Sequence, residues 1–259
     1  MTDHRELEQL LRSLRKNAGR SGIFLDFDGT IAETTAHPAD ARPVPGMTSI
    51  LGRLAEVYSC VGILSGRPLE FLVDRLPLAD LTLVGAHGLE VSGPTGRWSH
   101  PAARALVPAI LALGREAALT LPLTVLIERK PLAITLHHRD QPKLKEEVQA
   151  WSQRKATATG LMLAEGIGCF ELRPDLGLDK GTALQSLSSG LQGVCMFGDD
   201  RGDLSAFDAV DGLGRLGLNK VNIVVIGSNT PDELRQRADL VVHGPSGALA
   251  ALHQLLPSR

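Results

Sequence analysis

The stretch GIFLDFDGTIA, residues 22–32, places two carboxylates, Asp26 and Asp28, directly after an apolar run. The run favours a buried strand, and a packed strand interior does not accept a charge that lacks a partner. Asp28-Gly29 between apolar flanks is also typical of a two-residue hairpin turn. The rest of the chain has to distinguish a structural turn from a functional site.

The composition is that of an ordinary globular protein. The chain has 259 residues, of which 43% are hydrophobic and 22% are charged, and its formal net charge is -2. This length allows a full core and two domains. The nearly balanced charge argues against nucleic acid or an anionic membrane as the main partner, so we expect a small neutral or anionic ligand.

Three features of the sequence favour a cytoplasmic protein. Cys60, Cys169 and Cys195 are far apart in apolar surroundings, so we expect buried thiols rather than disulfides or a zinc site. The N-terminal segment has leucines at helical spacing among charges, which indicates an amphipathic helix rather than a signal peptide. No apolar run reaches membrane-spanning length. We expect a monomer or a weak oligomer.

Strand and helix patterns alternate at both ends of the chain. Strands separated by helices indicate right-handed crossovers and a parallel sheet. Between the two ends, residues 92–173 show a hairpin pattern and strand-like runs that meet without a helix, which is typical of an antiparallel α+β module. We therefore predict a parallel α/β core, formed by residues 1–91 and 174–259, with a smaller α+β cap inserted in it.

Ligands of an open parallel sheet bind at the carboxyl ends of the strands. Four predicted strand or helix ends deliver polar groups to such an edge. Each group has a structural alternative: a helix cap for the serine, a solvated position for the lysine, and a helix N-terminus for the late aspartates. The four segments are Asp26 to Thr30, Ser65 to Arg67, Lys180-Gly181, and Gly198 to Asp200 with Asp203 beyond.

Together these residues supply what phosphoryl transfer through an aspartyl-phosphate requires. Asp26 would attack phosphorus, and Asp28 would protonate the leaving oxygen and then activate water. Asp26 and a late aspartate would bind Mg²⁺, which prefers oxygen ligands. Lys180 would offset the repulsion between the carboxylates.

Hydroxyl and backbone N–H groups are expected to hold the phosphate. Ser65 and Gly66 lie in the loop just before a predicted helix, and N–H groups at a helix start bind anions. Gly29 lets the chain turn sharply past the phosphate, and we assign Thr30 to the same binding set.

The order of these segments resembles the four motifs of the haloacid dehalogenase superfamily. The resemblance covers the whole core and implies a Rossmann-like fold. The residues that carry it are Asp26-x-Asp28-Gly29-Thr30, Ser65, Lys180 and Gly198-Asp199-Asp200. The metal ligands that it implies are the Asp26 carboxylate, the Asp28 carbonyl and Asp199, supported by Asp200 and Asp203.

The position of the cap distinguishes between families within this superfamily. The interval from Asp28 to Ser65 is filled by a helix and a strand, whereas the interval from Ser65 to Lys180 has room for a cap of the C2 type. This placement is similar to that of the trehalose-6-phosphate phosphatases, as are the strings ILSGRPLEFL, GAHGLEV, IERKPLAITLHHR, FELRPDLGLDKGTAL and GDDRGDLSAF. The resemblance implies a cap that closes over substrate and sugar-binding residues at Glu128, Lys130 and Glu171, with Arg67 and His87 nearby.

Several alternatives remain open for the substrate and for the cap. Glu128 and Lys130 also fit an exposed cross-strand charge pair, and we expect His137 and His138 on opposite strand faces without a catalytic role. Sucrose phosphate, mannosylglycerate phosphate or a validoxylamine-type phosphate would suit a similar enzyme. A non-catalytic sugar-phosphate sensor is a further alternative, although a sensor does not need a nucleophile.

Overall fold

The computed structural model describes residues 4–35, 37–166, 168–227 and 230–257. It contains two compact units, a larger one of Met1–Trp98 and Leu178–Arg259 and a smaller one of Ser99–Gly177. The expected module of residues 92–173 is therefore displaced by several residues. The cause is the hairpin after residue 89, which extends the sheet of the larger unit instead of joining the smaller one.

Strands and helices alternate at both ends of the described chain, as the sequence predicts. The strands are β1 (Ser21–Leu25), β2 (Cys60–Leu64), β3 (Thr82–Gly85), β4 (Glu90–Gly93), β5 (Gly96–Ser99), β6 (Leu126–Lys130), β7 (Ala133–His137), β8 (Met162–Gly166), β9 (Cys169–Arg173), β10 (Gly193–Gly198), β11 (Asn219–Ile226) and β12 (Leu240–His243). The α-helices are α1 (His4–Lys16), α2 (Met47–Ala55), α3 (Leu69–Arg75), α4 (Pro101–Thr120), α5 (Lys145–Thr159), α6 (Lys180–Leu187), α7 (Leu204–Arg215), α8 (Asp232–Arg235) and α9 (Gly244–Leu255).

The larger unit is built on an eight-stranded sheet in the order β12-β11-β10-β1-β2-β3-β4-β5. The strands from β12 to β3 pair in parallel, and β4 turns back antiparallel to β3. This arrangement confirms the predicted parallel α/β core. The hairpin interpretation of Asp28-Gly29 is wrong, because β1 pairs in parallel with β2 and β10 on its two sides.

Helices cover both faces of this sheet. Ile23 and Leu25 of β1 pack in a core with α1, α2, α3 and α9, while Phe24 packs in a second core with α6, α7 and α8. A strand buried on both faces needs a continuous apolar run, which explains the segment before Asp26. Asp26, which carries the charge, is the first residue after β1.

The smaller unit is an antiparallel sheet with helices on one face. Its strand order is β6-β7-β9-β8, and α4 and α5 pack on it through a core that includes Ile110, Trp151, Leu136 and Phe170. Since successive side chains of a strand point to opposite faces, Glu128, Lys130, Thr135, His137 and Glu171 lie on the other face. The predicted α+β character of this segment is confirmed.

The cysteines and the helices of the described residues can be compared with the sequence predictions. Cys60, Cys169 and Cys195 are all free, as expected, but only Cys195 is fully buried. Cys60 and Cys169 are the first residues of their strands, where packing is less complete. Within the described ranges, no helix combines the length and the apolar character that a bilayer crossing needs.

The buried ring of Phe24 lies over two glycines. Gly62 is its partner on β2, and Gly22 precedes it by two residues on the same face of β1. A Cβ atom on either glycine would lie 2.8 Å from the Phe24 ring. These glycines therefore provide the space that the ring occupies.

We expect Gly62→Ala to lower the free energy of unfolding by about 1–3 kcal/mol, because the Phe24 ring has no room to accept a methyl group. Gly19→Ala is the control, since a Cβ atom there meets nothing within 4 Å. Its effect should stay within about 0.5 kcal/mol. Urea denaturation followed by circular dichroism measures both variants, and equal losses would contradict the packing argument.

Candidate active site

Two neighbouring strands bring the early and late acidic segments together. Asp26 follows β1, and its N–H donates to the carbonyl of Phe197 on β10 at 3.0 Å, so the pairing continues to the site. Asp199 follows β10 directly. One carboxylate oxygen from each of Asp26, Asp199 and Asp203 lies within 4.8 Å of the other two. The parallel sheet therefore gathers carboxylates that are far apart in sequence.

Lys180 places a buried ammonium among these carboxylates. Its Nζ donates to Oδ1 of Asp26 at 2.6 Å and to Oδ1 of Asp203 at 2.8 Å, and the residue is only 4% exposed. Lys180 is the first residue of α6. The start of α6 is fixed by Asp179, whose carboxylate accepts from the N–H of Thr182 at 2.8 Å.

Asp203 holds the loop that follows β10. Its Oδ1 accepts from Lys180, and its Oδ2 accepts from the N–H groups of Asp199 at 2.9 Å and Asp200 at 3.3 Å. Gly198 leaves space for this side chain, since a Cβ there would lie 2.6 Å from the Asp203 carboxyl carbon. Both oxygens of Asp203 are thus engaged within the protein, which suits a supporting role.

Asp200 is separate from the group of converging oxygens. Its Oδ1 accepts from the N–H of Gly202 at 2.7 Å, so the side chain caps the short turn after β10. The sequence prediction placed it among the metal residues. In the structure it stabilises the loop that carries Asp199.

The carboxylates of the site outnumber its ammonium group. Burial raises the pKa of Asp26 well above its usual value; Lys180 lowers it, but neighbouring carboxylates raise it again. Burial and repulsion from Asp26 raise the pKa of Asp199 to about 9. Burial disfavours the charge on Lys180, but attraction by Asp203 and Asp26 outweighs it, so the pKa of Lys180 is well above its usual value. A divalent cation would supply the remaining positive charge.

The donor set and the space around it fit a hard divalent cation. Carboxylate oxygens such as those of Asp26 and Asp199 are the ligands that Mg²⁺ prefers. Gly29 has a left-handed φ of 78°, and a Cβ there would lie 2.1 Å from Oδ2 of Asp199. The Thr30 hydroxyl donates to Oδ1 of Asp199 at 3.2 Å. Asp26 and Asp199 are the side chains that would hold such a cation.

Asp28 is paired with an arginine of the next motif. Nε of Arg67 donates to Oδ2 of Asp28 at 2.7 Å, and Nη2 donates to Oδ1 at 2.6 Å. The sequence resemblance placed Arg67 near the sugar. The structure shows it in direct contact with the proposed acid and base, and its place near the sugar stays a prediction.

The segment after β2 contacts a strained turn. The Oγ of buried Ser65 accepts from the N–H of Arg67 at 3.1 Å, and a Cβ on Gly66 would lie 2.6 Å from Nε2 of His87. Ala86 and His87 both have left-handed φ angles, of 47° and 57°. Two such non-glycine residues cost about 1–3 kcal/mol each, and strain of this kind clusters at ligand sites. The turn holds His87 beside the expected phosphate-binding residues.

The smaller unit gathers the other predicted residues in one cluster. Nζ of Lys130 donates to Oε2 of Glu171 at 2.6 Å and lies 3.9 Å from Oε2 of Glu128. The Thr135 hydroxyl donates to the same oxygen of Glu171 at 2.9 Å, and Nε2 of His137 lies 3.1 Å from Oε2 of Glu128. The side chains of Lys130 and Glu128 are 12% and 22% exposed, so the interpretation of these two residues as an exposed charge pair is wrong.

Thr135 and His137 also belong to this cluster, although no sequence motif pointed to them. His137 and His138 lie on opposite faces, as expected; neither was expected to have a catalytic role, but His137 contacts Glu128. The signal was the short loop between β6 and β7, because it sets the register in which Glu128 pairs with Thr135. Counting cross-strand partners from that loop would have found both residues.

The parallel sheet with an acidic site at its edge agrees with the fold class that the sequence predicts. Residues 24–235 match the family described as trehalose-phosphatase. The chain belongs to the trehalose-phosphatase family.

Individual relatives agree with this assignment. A trehalose-phosphate phosphatase of Mycobacterium avium (strain 104) is 35% identical over 208 residues, which cover 75% of this chain and 53% of the relative. One of Mycobacterium leprae (strain TN) is 34% identical over 209 residues, covering 74% and 48%. The chain thus spans about half the length of these curated relatives. The C-terminal domain of the C. albicans trehalose-6-phosphate phosphatase shares the fold with a TM-score of 0.78 at 20% identity, covering 96% of each chain.

We expect Gly29→Ala to weaken Mg²⁺ binding by about tenfold or more, because the methyl group displaces the Asp199 carboxylate. Loss of the contact between this carboxylate and the cation should cost about 1.4 kcal/mol or more of binding free energy, which corresponds to that factor. Isothermal titration calorimetry measures the affinity. Gly46→Ala is the matched control, since Gly46 also has a left-handed φ, of 89°, but a Cβ there meets only Leu249 at 3.6 Å. Both variants should lose stability, and equal Mg²⁺ affinities would exclude a specific function of Gly29.

Proposed function

We propose that this protein is a magnesium-dependent phosphatase that hydrolyses trehalose 6-phosphate to trehalose and phosphate through an aspartyl-phosphate. The observation that carries the proposal is the convergence of Asp26, Asp199 and the buried ammonium of Lys180 at one edge of a parallel sheet. Membership of the trehalose-phosphatase family supports the choice of substrate.

In the first step, an oxygen of the Asp26 carboxylate forms a bond to phosphorus while the bond from phosphorus to the sugar oxygen breaks. Asp28 gives its proton to that sugar oxygen, so trehalose leaves as a neutral alcohol. Mg²⁺ held by Asp26 and Asp199 would supply positive charge against the phosphoryl oxygens. Lys180 orients the attacking carboxylate through its 2.6 Å contact with Oδ1.

In the second step, the Asp28 carboxylate takes a proton from water as the water oxygen forms a bond to phosphorus. The bond from phosphorus to Asp26 breaks, which restores the Asp26 carboxylate and releases phosphate. Ser65, Gly66 and Thr30 would bind phosphoryl oxygens during both steps. Asp203 keeps the loop that carries Asp199 in place.

The cluster of the smaller unit is suited to sugar hydroxyls. The carboxylates of Glu128 and Glu171 accept hydrogen bonds, and the ammonium of Lys130 donates them. Contacts with Thr135 and His137 hold these carboxylates in place before a sugar binds. A preorganised set of charged groups loses little conformational freedom on binding, which favours selectivity for a polyhydroxylated substrate.

The proposal includes a cytoplasmic location, a monomer or weak oligomer, and a small sugar phosphate as the partner. The three free thiols are compatible with a reducing compartment.

Phosphate release from trehalose 6-phosphate should exceed that from 4-nitrophenyl phosphate, sucrose phosphate and mannosylglycerate phosphate in kcat/KM.

Asp26→Asn should lower turnover by about 10³-fold or more, since the nucleophile is lost. Asp80→Asn removes an exposed carboxylate and is the control. If another disaccharide phosphate is preferred, the substrate assignment fails; if Asp26→Asn retains full turnover, the mechanism fails; and binding without turnover would indicate a sensor.

We expect Glu128→Gln to raise KM for trehalose 6-phosphate by about tenfold, because a charged hydrogen bond to the sugar is weakened. Turnover of 4-nitrophenyl phosphate, which has no sugar, should be unchanged. Glu165→Gln is the control, as Glu165 is exposed on β8 beside Lys145. Steady-state kinetics of both substrates measure the effect, and a proportional loss on both would argue against sugar binding by Glu128.

A further inference from the structure

The carboxyl group that moves protons in the proposed mechanism is held by a planar fork of two donors. Nε and Nη2 of Arg67 each donate to a different oxygen of Asp28, at 2.7 Å and 2.6 Å. The Arg67 side chain is 12% exposed, whereas that of Asp28 is 34% exposed. A bidentate contact restricts both the position and the plane of a carboxylate. Without it, the half-exposed Asp28 side chain would sample other rotamers.

The arginine is itself held by an aromatic pair. Its guanidinium carbon lies 4.7 Å from the centre of the Phe71 ring. The ring centres of Phe71 and Phe27 are 5.5 Å apart, and the angle of 81° between the ring planes makes this an edge-to-face contact. Phe27 is fully buried and stands between Asp26 and Asp28 in sequence. The contacts therefore form a closed path that begins and ends at the catalytic segment.

We propose that Arg67 is a positioning residue that holds Asp28 on the line of proton transfer, so that loss of Arg67 slows only those reactions whose leaving group needs a proton. This inference rests on the proposed phosphatase function. The fork holds the position and the plane of the Asp28 carboxyl group through both proposed steps.

Leaving groups of different basicity distinguish this role from two simpler ones. Nitrophenolate leaves without much protonation, whereas phenolate and a sugar alkoxide depend on the acid. A positioning role predicts that the loss grows with leaving-group basicity. A sugar-binding role predicts a higher KM for the sugar phosphate alone, and a purely structural role predicts equal losses on all substrates.

The experiment compares the full chain with Arg67→Gln and Arg67→Lys in the presence of Mg²⁺, using single-turnover release of the alcohol. With Arg67→Gln, release from phenyl phosphate and trehalose 6-phosphate should slow by about tenfold to 10²-fold, and release from 4-nitrophenyl phosphate by less than about threefold. Arg67→Lys should be intermediate, because an ammonium makes a single contact in place of the fork. It also tests the inference if Arg67→Gln does not fold.

Arg75→Gln is the matched control, since Arg75 lies over the same Phe71 ring at 4.8 Å but donates to backbone carbonyls of residues 39 and 41. Its leaving-group dependence should equal that of the parent. A double variant completes the test: in an Asp28→Asn background, Arg67→Gln should cause no further loss if Arg67 acts through Asp28.

The possible outcomes separate this inference from the proposed function. An additional loss in the Asp28→Asn background, or a loss that is independent of the leaving group, overturns the positioning role while the phosphatase function stands. A parent protein that releases no alcohol from any of these substrates overturns both. A loss that increases with leaving-group basicity and disappears in the Asp28→Asn background supports the inference.

Discussion

The buried ammonium of Lys180 is the interaction on which the larger unit's site depends. It contacts Asp26 after β1 and Asp203 after β10, and it begins α6. Two buried carboxylates a few ångströms apart repel each other strongly unless a cation lies between them. Removing one partner of a buried ion pair costs about 3–5 kcal/mol, since a charge is left without compensation. Three elements of the chain are thereby fixed around one charged group.

The carboxylates also need space that side chains would fill. Gly29 approaches Asp199 so closely that no Cβ fits, and Gly198 does the same for Asp203. In the neighbouring Ala86-His87 turn, by contrast, residues that have a Cβ are held in a strained left-handed conformation. The rigid sheet beneath these loops keeps both the close contacts and the strained turn in place. The precision of the site therefore originates in the packing of the strands.

Three carboxylates of proposed chemical importance are held by different sets of donors, and each set suits the proposed task of the carboxylate. Asp26 contacts an ammonium, which is a compact charge and leaves the second oxygen for other ligands. Asp28 contacts a guanidinium, which fixes the plane of the carboxyl group. Glu171 in the smaller unit is held by an ammonium and a hydroxyl. The geometry of the donor groups thus determines how freely each carboxylate can move.

The class of fold, the family and the convergence of Asp26, Lys180 and Asp199 follow from the sequence alone, because strand and helix periodicities are local and parallel strands end at one edge. Only the tertiary structure decided three other features. These are the pairing of Arg67 with Asp28, the inclusion of His137 in the smaller unit's cluster, and the extension of the larger unit's sheet by the hairpin of β4 and β5. These features depend on strand register and on side-chain rotamers between residues distant in sequence. A shift of one residue in register moves every side chain to the other face, and no local pattern encodes that choice.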